Sequence, residues 1–423
     1  MRIIILSDRV PPKNAGGAEK VAWSLALALK EAGHEIHVIA TTDGLAYETQ
    51  QEGIPVYYLY THYPLRWSAW IGLYNPQTVG HLRRLYAKIQ PDVINAHNIH
   101  HYLSYTALSV AHRMGIPTVF NSHDVMPVYY AKLTHAKAIN PDFCGVKSPE
   151  QYRIPRFYNL KQMRFRYNPV RNLVIRHILT QHANVRACVS NALRQVLEVN
   201  GLPPFRVVYN GVDPRSFDAS PESVEVMRQR LELDGRQVIL FGGRITWAKG
   251  SDQLLAAMNM LVKKLPDVLL LVLTTAGLDS MGFNKPEFQG LRERHVRLGG
   301  WFSGSELAAV YRAADVITIP SICFDSAPLM VLESMAAAKP VVANCYGGAP
   351  ELLVEGETGY AVNPFDIASL ADHLETVLTD PALAQRMGEA GRQRLEEKFT
   401  LRASGENMLA TYQQAIDMQK ASR

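Results

Sequence analysis

A chain of 423 residues is longer than one ordinary hydrophobic core organises, so two domains are expected. An apolar content of 47% with 20% charged residues excludes a disordered chain, and no apolar run nears the roughly 18 residues of a bilayer span. A net charge of +5 suits an anionic substrate or membrane surface without requiring nucleic acid.

The chain begins "MRIIILSDR", where Ser7 and Asp8 cut the apolar run too short for a signal peptide. "RIIIL" reads as a strand, and "AEKVAWSLALALKEAG" as a helix closed by Gly33. "EIHVIATT", "IPVYYLY", "DVINAH", "PTVFNSH" and "VRACVS" follow as strands, mostly with helical stretches between them. The turn-rich "YNGVDPRSFD" (209–218) is a candidate linker. Beyond it the strands "QVILFGG", "VLLLVLTT", "HVRLGG", "DVITIP", "PVVAN" and "GYAV" recur. The helical stretches "SDQLLAAMNMLVKKL", "SELAAVYRAA" and "PLMVLESMAAA" separate them. Such alternation implies right-handed crossovers and parallel sheets covered on both faces. The expected organisation is an α/β chain of two doubly wound domains, 1–210 and 211–400. A final helix in 401–423 has an apolar stripe to bury, expected to pack back toward the N-terminal domain. Two such domains facing each other would set a ligand cleft at their strand C-termini. Cys144, Cys188, Cys323 and Cys345 are widely spaced with no C-x-x-C pair, which argues against zinc and for a reducing, cytoplasmic setting.

The motifs narrow the chemistry. There is no Walker loop, no G-x-G-x-x-G after the first strand, no H-E-x-x-H and no D-x-D. Instead "GRITWAKG" sets Arg244 and Lys249 in a loop after a strand, where a guanidinium and an ammonium suit a diphosphate. A solvated basic loop is the alternative. "NAGGAEK" puts Gly16 and Gly17 before a helix, where backbone N–H groups can approach phosphate, or where Glu19 simply favours the helix start. In "CFDSAPLMVLE", Pro328 suits the first helical turn with Ser326 or Ala327 near the cap. Asp325 then lies in a loop, Glu333 in a helix, and a helix N-terminus between them. "CYGGAPELL" adds Gly347 and Gly348 at the next strand's end, with room for close backbone approach.

Taken together, GGAE (16–19), HD (His123, Asp124), NGVD (210–213), GR…KG (243–250) and D-x7-E followed by "SMAAAKPVVANCYGGAPELL" resemble glycosyltransferase family 4 of the GT-B fold. The resemblance covers nearly the whole chain and is strongest over 237–365. It implies two Rossmann-like domains and a retaining transferase that uses a nucleotide sugar and needs neither metal nor other cofactor. It implies that Glu333 accepts from ribose hydroxyls and that Asp325 grips the transferred sugar. The family usually has Glu at that position, so the chain departs by one methylene. Leu329 and Met330 would offer N–H groups, Arg244 and Lys249 would stabilise the departing diphosphate, and Gly16 and Gly17 would meet the same phosphates. His123 would stand near the transferred sugar, with His97, His100 and His101 lining the acceptor side. An isolated histidine is otherwise more often structural.

For the acceptor, residues 151–176 hold seven Lys or Arg and no Asp or Glu, interleaved with Tyr152, Phe157, Tyr158, Phe165 and Tyr167. This segment is expected to meet an anionic membrane, a lipid-linked diphosphate or an acidic glycan, or to be a solvated basic face. The loop "THYPLRWSAWIGLYNPQ", with Trp67 and Trp70, is a second acceptor-side candidate, or simply packs. A nucleotide-sugar epimerase or hydrolase and a non-catalytic nucleotide-sugar binder stand as alternatives.

Overall fold

Strand β1 (Arg2–Leu6) is buried along nearly its whole length, as a central parallel strand must be. It sits inside an eight-stranded sheet with β2 (Glu35–Thr42), β3 (Tyr47–Gln51), β4 (Ile54–Tyr60), β5 (Val93–Ala96), β6 (Thr118–Ser122), β7 (Val185–Cys188) and β8 (Arg206–Val207). The spatial order is β3-β4-β2-β1-β5-β6-β7-β8, and only the β3–β4 pair is antiparallel. This computed structural model describes residues 1–12, 16–130, 133, 149–242, 247–274 and 285–422.

The chain divides into two compact units. The first holds the eight-stranded sheet. Its core joins Ile3, Ile5, Val38, Val93, Val119 and Val185 to Trp23 and Leu25 of the helix Gly17–Glu31. The final helix, Leu401–Ala421, belongs to this unit and buries Met408, Tyr412 and Ala415 in the same core.

The second unit is a six-stranded parallel sheet. Its strands are β9 (Gln237–Gly242), β10 (Val268–Leu273), β11 (Val296–Leu298), β12 (Val316–Ile319), β13 (Val341–Asn344) and β14 (Gly359–Val362). They lie in the order β11-β10-β9-β12-β13-β14. The helix Ser251–Leu261 covers one face with Leu254, Leu255 and Met258, packed on Ile239, Phe241 and Leu270. Of residues 132–147, which the sequence reading places in the first half, Leu133 is described. Its carbonyl accepts the N–H of Phe324 at 2.9 Å, and Leu133 groups with the second unit.

In both sheets the strand order reverses once near the middle, at β1/β5 and at β9/β12. Loops leaving two such strands part to opposite faces, which opens a crevice at their C-terminal ends. Two polar clusters sit there. Asp8 and residues 97–103 follow β1 and β5; Lys249 and Asp325 follow β9 and β12. Cys188, Cys323 and Cys345 are all buried.

Candidate functional site

In the second unit, β9 ends at Gly242 and the chain re-enters as a short 3-10 turn, Trp247–Lys249. Gly250 follows with φ of +78°, a conformation that favours glycine, and a Cβ there would lie 1.8 Å from the Pro320 carbonyl oxygen. The N–H of Ile322 donates to the Ala248 carbonyl at 3.1 Å, stitching this loop to the one after β12. The outcome is an ion pair. Lys249 Nζ lies 2.5 Å from Asp325 Oδ2, with side chains only 27% and 18% exposed. Asp325 is fixed from the far side by the loop after β13. Its carbonyl accepts the Gly348 N–H at 2.9 Å, and a Cβ on Gly347, at φ +72°, would come within 2.1 Å of that same oxygen.

The next helix runs Leu329–Ala336 and is capped by Pro328 itself, one place later than expected. A proline φ of −65° fits either side of a helix start, and its extended ψ of 115° puts Pro328 outside. The N–H groups of Leu329 and Met330 make no hydrogen bond among the described residues. These are the orphan donors of a helix N-terminus, where a negative charge is favoured. One turn on, Glu333 Oε2 accepts the Tyr311 hydroxyl at 2.5 Å, and Oε1 takes no bond among the described residues. Tyr311 comes from the helix Gly304–Ala313 and is buried, with the Phe217 ring edge-on at 5.2 Å. Burial, then the Glu333 carboxylate, holds its phenol proton far more tightly than usual, so it stays a donor. Arg244 lies outside the described residues.

The first unit presents a different kind of cluster. Asp8, fully buried just past β1, accepts the N–H groups of His101, Tyr102 and Leu103 at 2.8, 3.1 and 2.7 Å. It thereby sets the loop that carries the histidines. Burial, only partly offset by those three donors, raises its carboxyl pKa. His97 Nδ1 lies 2.7 Å from His123 Nε2, and the two rings are near-parallel with centroids 5.0 Å apart. His100 Nδ1 meets the Tyr105 hydroxyl at 2.8 Å, and its Nε2 stands 3.4 Å from Asp124. His101 Nδ1 meets the Tyr130 hydroxyl at 3.1 Å. Burial depresses all three of His97, His101 and His123: His97 falls well below the usual range, His101 and His123 to about 4. The structure therefore brings His97 and His123 into one bonded pair, while His100 and His101 face tyrosines and Asp124.

At the start of the helix Gly17–Glu31, the N–H of Gly16 already donates to Glu19 Oε2 at 2.9 Å. The Gly16 N–H, expected to meet phosphate, is engaged in this structure by the capping carboxylate. The Gly17 N–H makes no hydrogen bond among the described residues. Segment 151–176 also divides. Tyr152, Tyr167 and Arg171 are buried, the Arg171 guanidinium lying over the Tyr130 ring at 4.6 Å. Phe157 and Phe165 are 65% and 69% exposed, among exposed Arg156, Lys161, Arg164 and Arg166. Trp67 stands near Phe165 at 6.4 Å.

Asp8, Asn95 and Tyr311 escaped the sequence reading. Asp8 and Asn95 did carry a signal, as polar residues interrupting or ending apolar strands. Nothing in the sequence marked Tyr311. Among the described residues no group of three or more His, Cys, Asp or Glu side chains could hold a metal, and no helix is long and apolar enough to cross a membrane.

Two family models match the chain: glycosyl transferases group 1 over residues 223–394 and Glycosyltransferase Family 4 over residues 15–216. A glycogen synthase of Mycobacterium tuberculosis is 25% identical over 94% of this chain and 91% of its own length. Among solved structures, a sucrose-phosphate synthase from Thermosynechococcus elongatus superposes with a TM-score of 0.73 at 22% identity, over 98% of both chains. Anabaena HepE bound to UDP-glucose gives 0.71 at 20% identity, over 97% of this chain and 99% of its own.

The depressed histidines tie stability to pH. As pH falls below about 6.5, the unfolded chain takes up protons that His97, His101 and His123 refuse in the fold. Stability is expected to fall between pH 6.5 and about 4, with His101 and His123 contributing up to roughly 3 kcal/mol each. Urea unfolding at pH 7 and pH 5 checks this, and His101→Gln should flatten the dependence. An equal slope in that variant refutes the assignment.

Proposed function

This chain belongs to glycosyltransferase family 4, and we propose that it moves a hexosyl group from a nucleotide diphosphate sugar to a hydroxyl of a glycan or lipid-linked acceptor. The reading includes retention of anomeric configuration and no requirement for metal. The observation that carries it is the Lys249–Asp325 pair three residues ahead of a helix N-terminus with two N–H groups unbonded among the described residues. A cation and oriented amide dipoles in a partly dry crevice are what a departing diphosphate needs. Asp325 holds the Lys249 ammonium in place when no phosphate is there. On donor binding Lys249 turns to the diphosphate together with Arg244, and Asp325 is released to a sugar hydroxyl. Glu333 keeps Oε1 for a ribose hydroxyl, its other oxygen being anchored by Tyr311. In the transfer, the bond from the anomeric carbon to phosphate oxygen breaks and a bond to the acceptor oxygen forms on the same face. The acceptor proton passes to the leaving phosphate oxygen. No carboxylate nucleophile is invoked.

The exposed basic and aromatic part of segment 151–176 is the acceptor-side surface in this reading. Aromatic rings at the headgroup level and cations against anionic lipid would hold the enzyme at the surface where a lipid-linked acceptor resides.

Release of nucleoside diphosphate from a panel of donors, assayed in EDTA with and without acceptors, tests the activity directly. Tight nucleotide binding without turnover of any donor supports a binder instead, and a β-linked product from an α-linked donor removes retention. Lys249→Met should lower kcat about 100-fold, the order seen when one transition-state donor is lost. Asp325→Ala should also lower turnover, yet leave affinity for the bare nucleoside diphosphate unchanged or higher, because a negative charge beside the diphosphate is removed. Matched losses in both would show that Asp325 does not read the sugar. For the membrane contact, the full chain should sediment with vesicles containing anionic lipid and not with neutral ones. Phe157→Ser combined with Phe165→Ser should weaken that binding, and vesicle binding unaffected by the pair would reject the surface.

A further inference from the structure

Asn95 is the polar residue within β5, between the fully buried Ile94 and Ala96. A buried amide costs free energy unless its hydrogens are used. Both are. Nδ2 lies 2.7 Å from the Tyr412 hydroxyl and 2.9 Å from His97 Nε2. Tyr412 reaches this point from the final helix, Leu401–Ala421, and is itself fully buried. On the other side of the same imidazole, His97 Nδ1 meets His123 Nε2 at 2.7 Å.

A neutral imidazole carries one N–H and one bare nitrogen. His97 and His123 are both neutral near pH 7, since burial depresses each. Hydrogen-bond direction then propagates along the chain of groups. His97 Nε2 accepts from Asn95, so the His97 proton sits on Nδ1 and is donated to His123 Nε2. The His123 proton must therefore sit on Nδ1. That nitrogen makes no hydrogen bond among the described residues, and it is not among the fully buried unpaired atoms.

We propose that Asn95 is a positioning residue that fixes the tautomer of His123 through His97, so that His123 offers Nδ1–H as a hydrogen-bond donor to a ligand oxygen. His123 then cannot serve as a base at Nδ1, which already holds its proton. The final helix takes part, because the Tyr412 hydroxyl takes the second amide hydrogen, while Asn95 Oδ1 is buried with no hydrogen bond among the described residues. The tautomer stands on the hydrogen-bond geometry together with the neutrality of both rings; its consequence for turnover rests on the sugar-transfer reading above.

The test is nitrogen-15 NMR of the full chain labelled at histidine, with the His123 signal identified by its loss in His123→Gln. The wild-type protein should show His123 protonated at Nδ1; protonation at Nε2 overturns the proposal without any variant. Asn95→Asp supplies a carboxylate that accepts from His97 Nε2–H, so the whole relay should reverse and His123 should carry Nε2–H. Asn95→Leu has no amide and should give both forms. The wild-type pattern persisting in either variant removes Asn95 from the role. A merely structural asparagine would shift unfolding midpoints and leave the tautomer alone. In turnover, Asn95→Asp should lower kcat about 10-fold, the worth of one hydrogen bond, with donor KM within about twofold. A reversed tautomer with wild-type kcat overturns the donor role of His123. If the wild-type chain turns over no nucleotide sugar, the sugar-transfer reading fails while the NMR result still decides the tautomer.

Discussion

Two backbone crossings, Gly250 against the Pro320 carbonyl and Gly347 against the Asp325 carbonyl, are the constraint on which the second unit's site depends. Parallel strands bury apolar side chains on both faces, so polar chemistry is confined to the loops at their ends. Three such loops, after β9, β12 and β13, converge here, and side chains at those positions would hold them apart. Removing two Cβ atoms lets main chain meet main chain. The Lys249–Asp325 pair is the result, made between residues 76 apart in sequence.

That pair would be a poor device for stability alone. Withdrawing two charges from water costs several kcal/mol, which the attraction between them offsets only when the geometry is good. A partly dry ion pair at the switch point of a parallel sheet makes better sense as a charge held ready. In the proposed transfer its ammonium would be oriented before the diphosphate arrives, and orientation supplied in advance is what preorganised electrostatics requires. Tyr311 does the same for Glu333 by a neutral route. A phenol whose proton is held by burial donates to one carboxylate oxygen and leaves the other available.

Much of this was legible in the sequence. Every strand marked by an apolar run is present, several to the residue, as at 35–42, 54–60 and 359–362. What periodicity missed was polar or short. β3, "YETQQ", is an antiparallel edge strand with little to bury, and β8 has two residues. Among candidate site residues, position at strand ends singled out Lys249, Asp325, His97 and His123, and helix placement singled out Glu333. Spacing could not reveal who already holds whom. Spacing did not show that the Gly16 N–H meets the Glu19 carboxylate, and Pro328 looked like a first-turn residue until its ψ placed it outside the helix. Tyr311 and Tyr412 were invisible because each reads as one more aromatic on an apolar helix face; only the fold aims their hydroxyls at Glu333 and Asn95.

The first unit meets the burial problem in the opposite way. Where the second keeps charges and pairs them, the first discards charge, holding His97 and His123 neutral in a region too dry for imidazolium. Neutral groups keep one property that charges lack, which is direction. Each imidazole must donate on one side and accept on the other, so fixing a single bond at Asn95 fixes the sense of every bond beyond it. A chain of that kind transmits information over two rings without moving an atom. It also gives a buried strand position a use for asparagine, since an aliphatic side chain there would leave the outer nitrogen of His123 free to be either donor or acceptor.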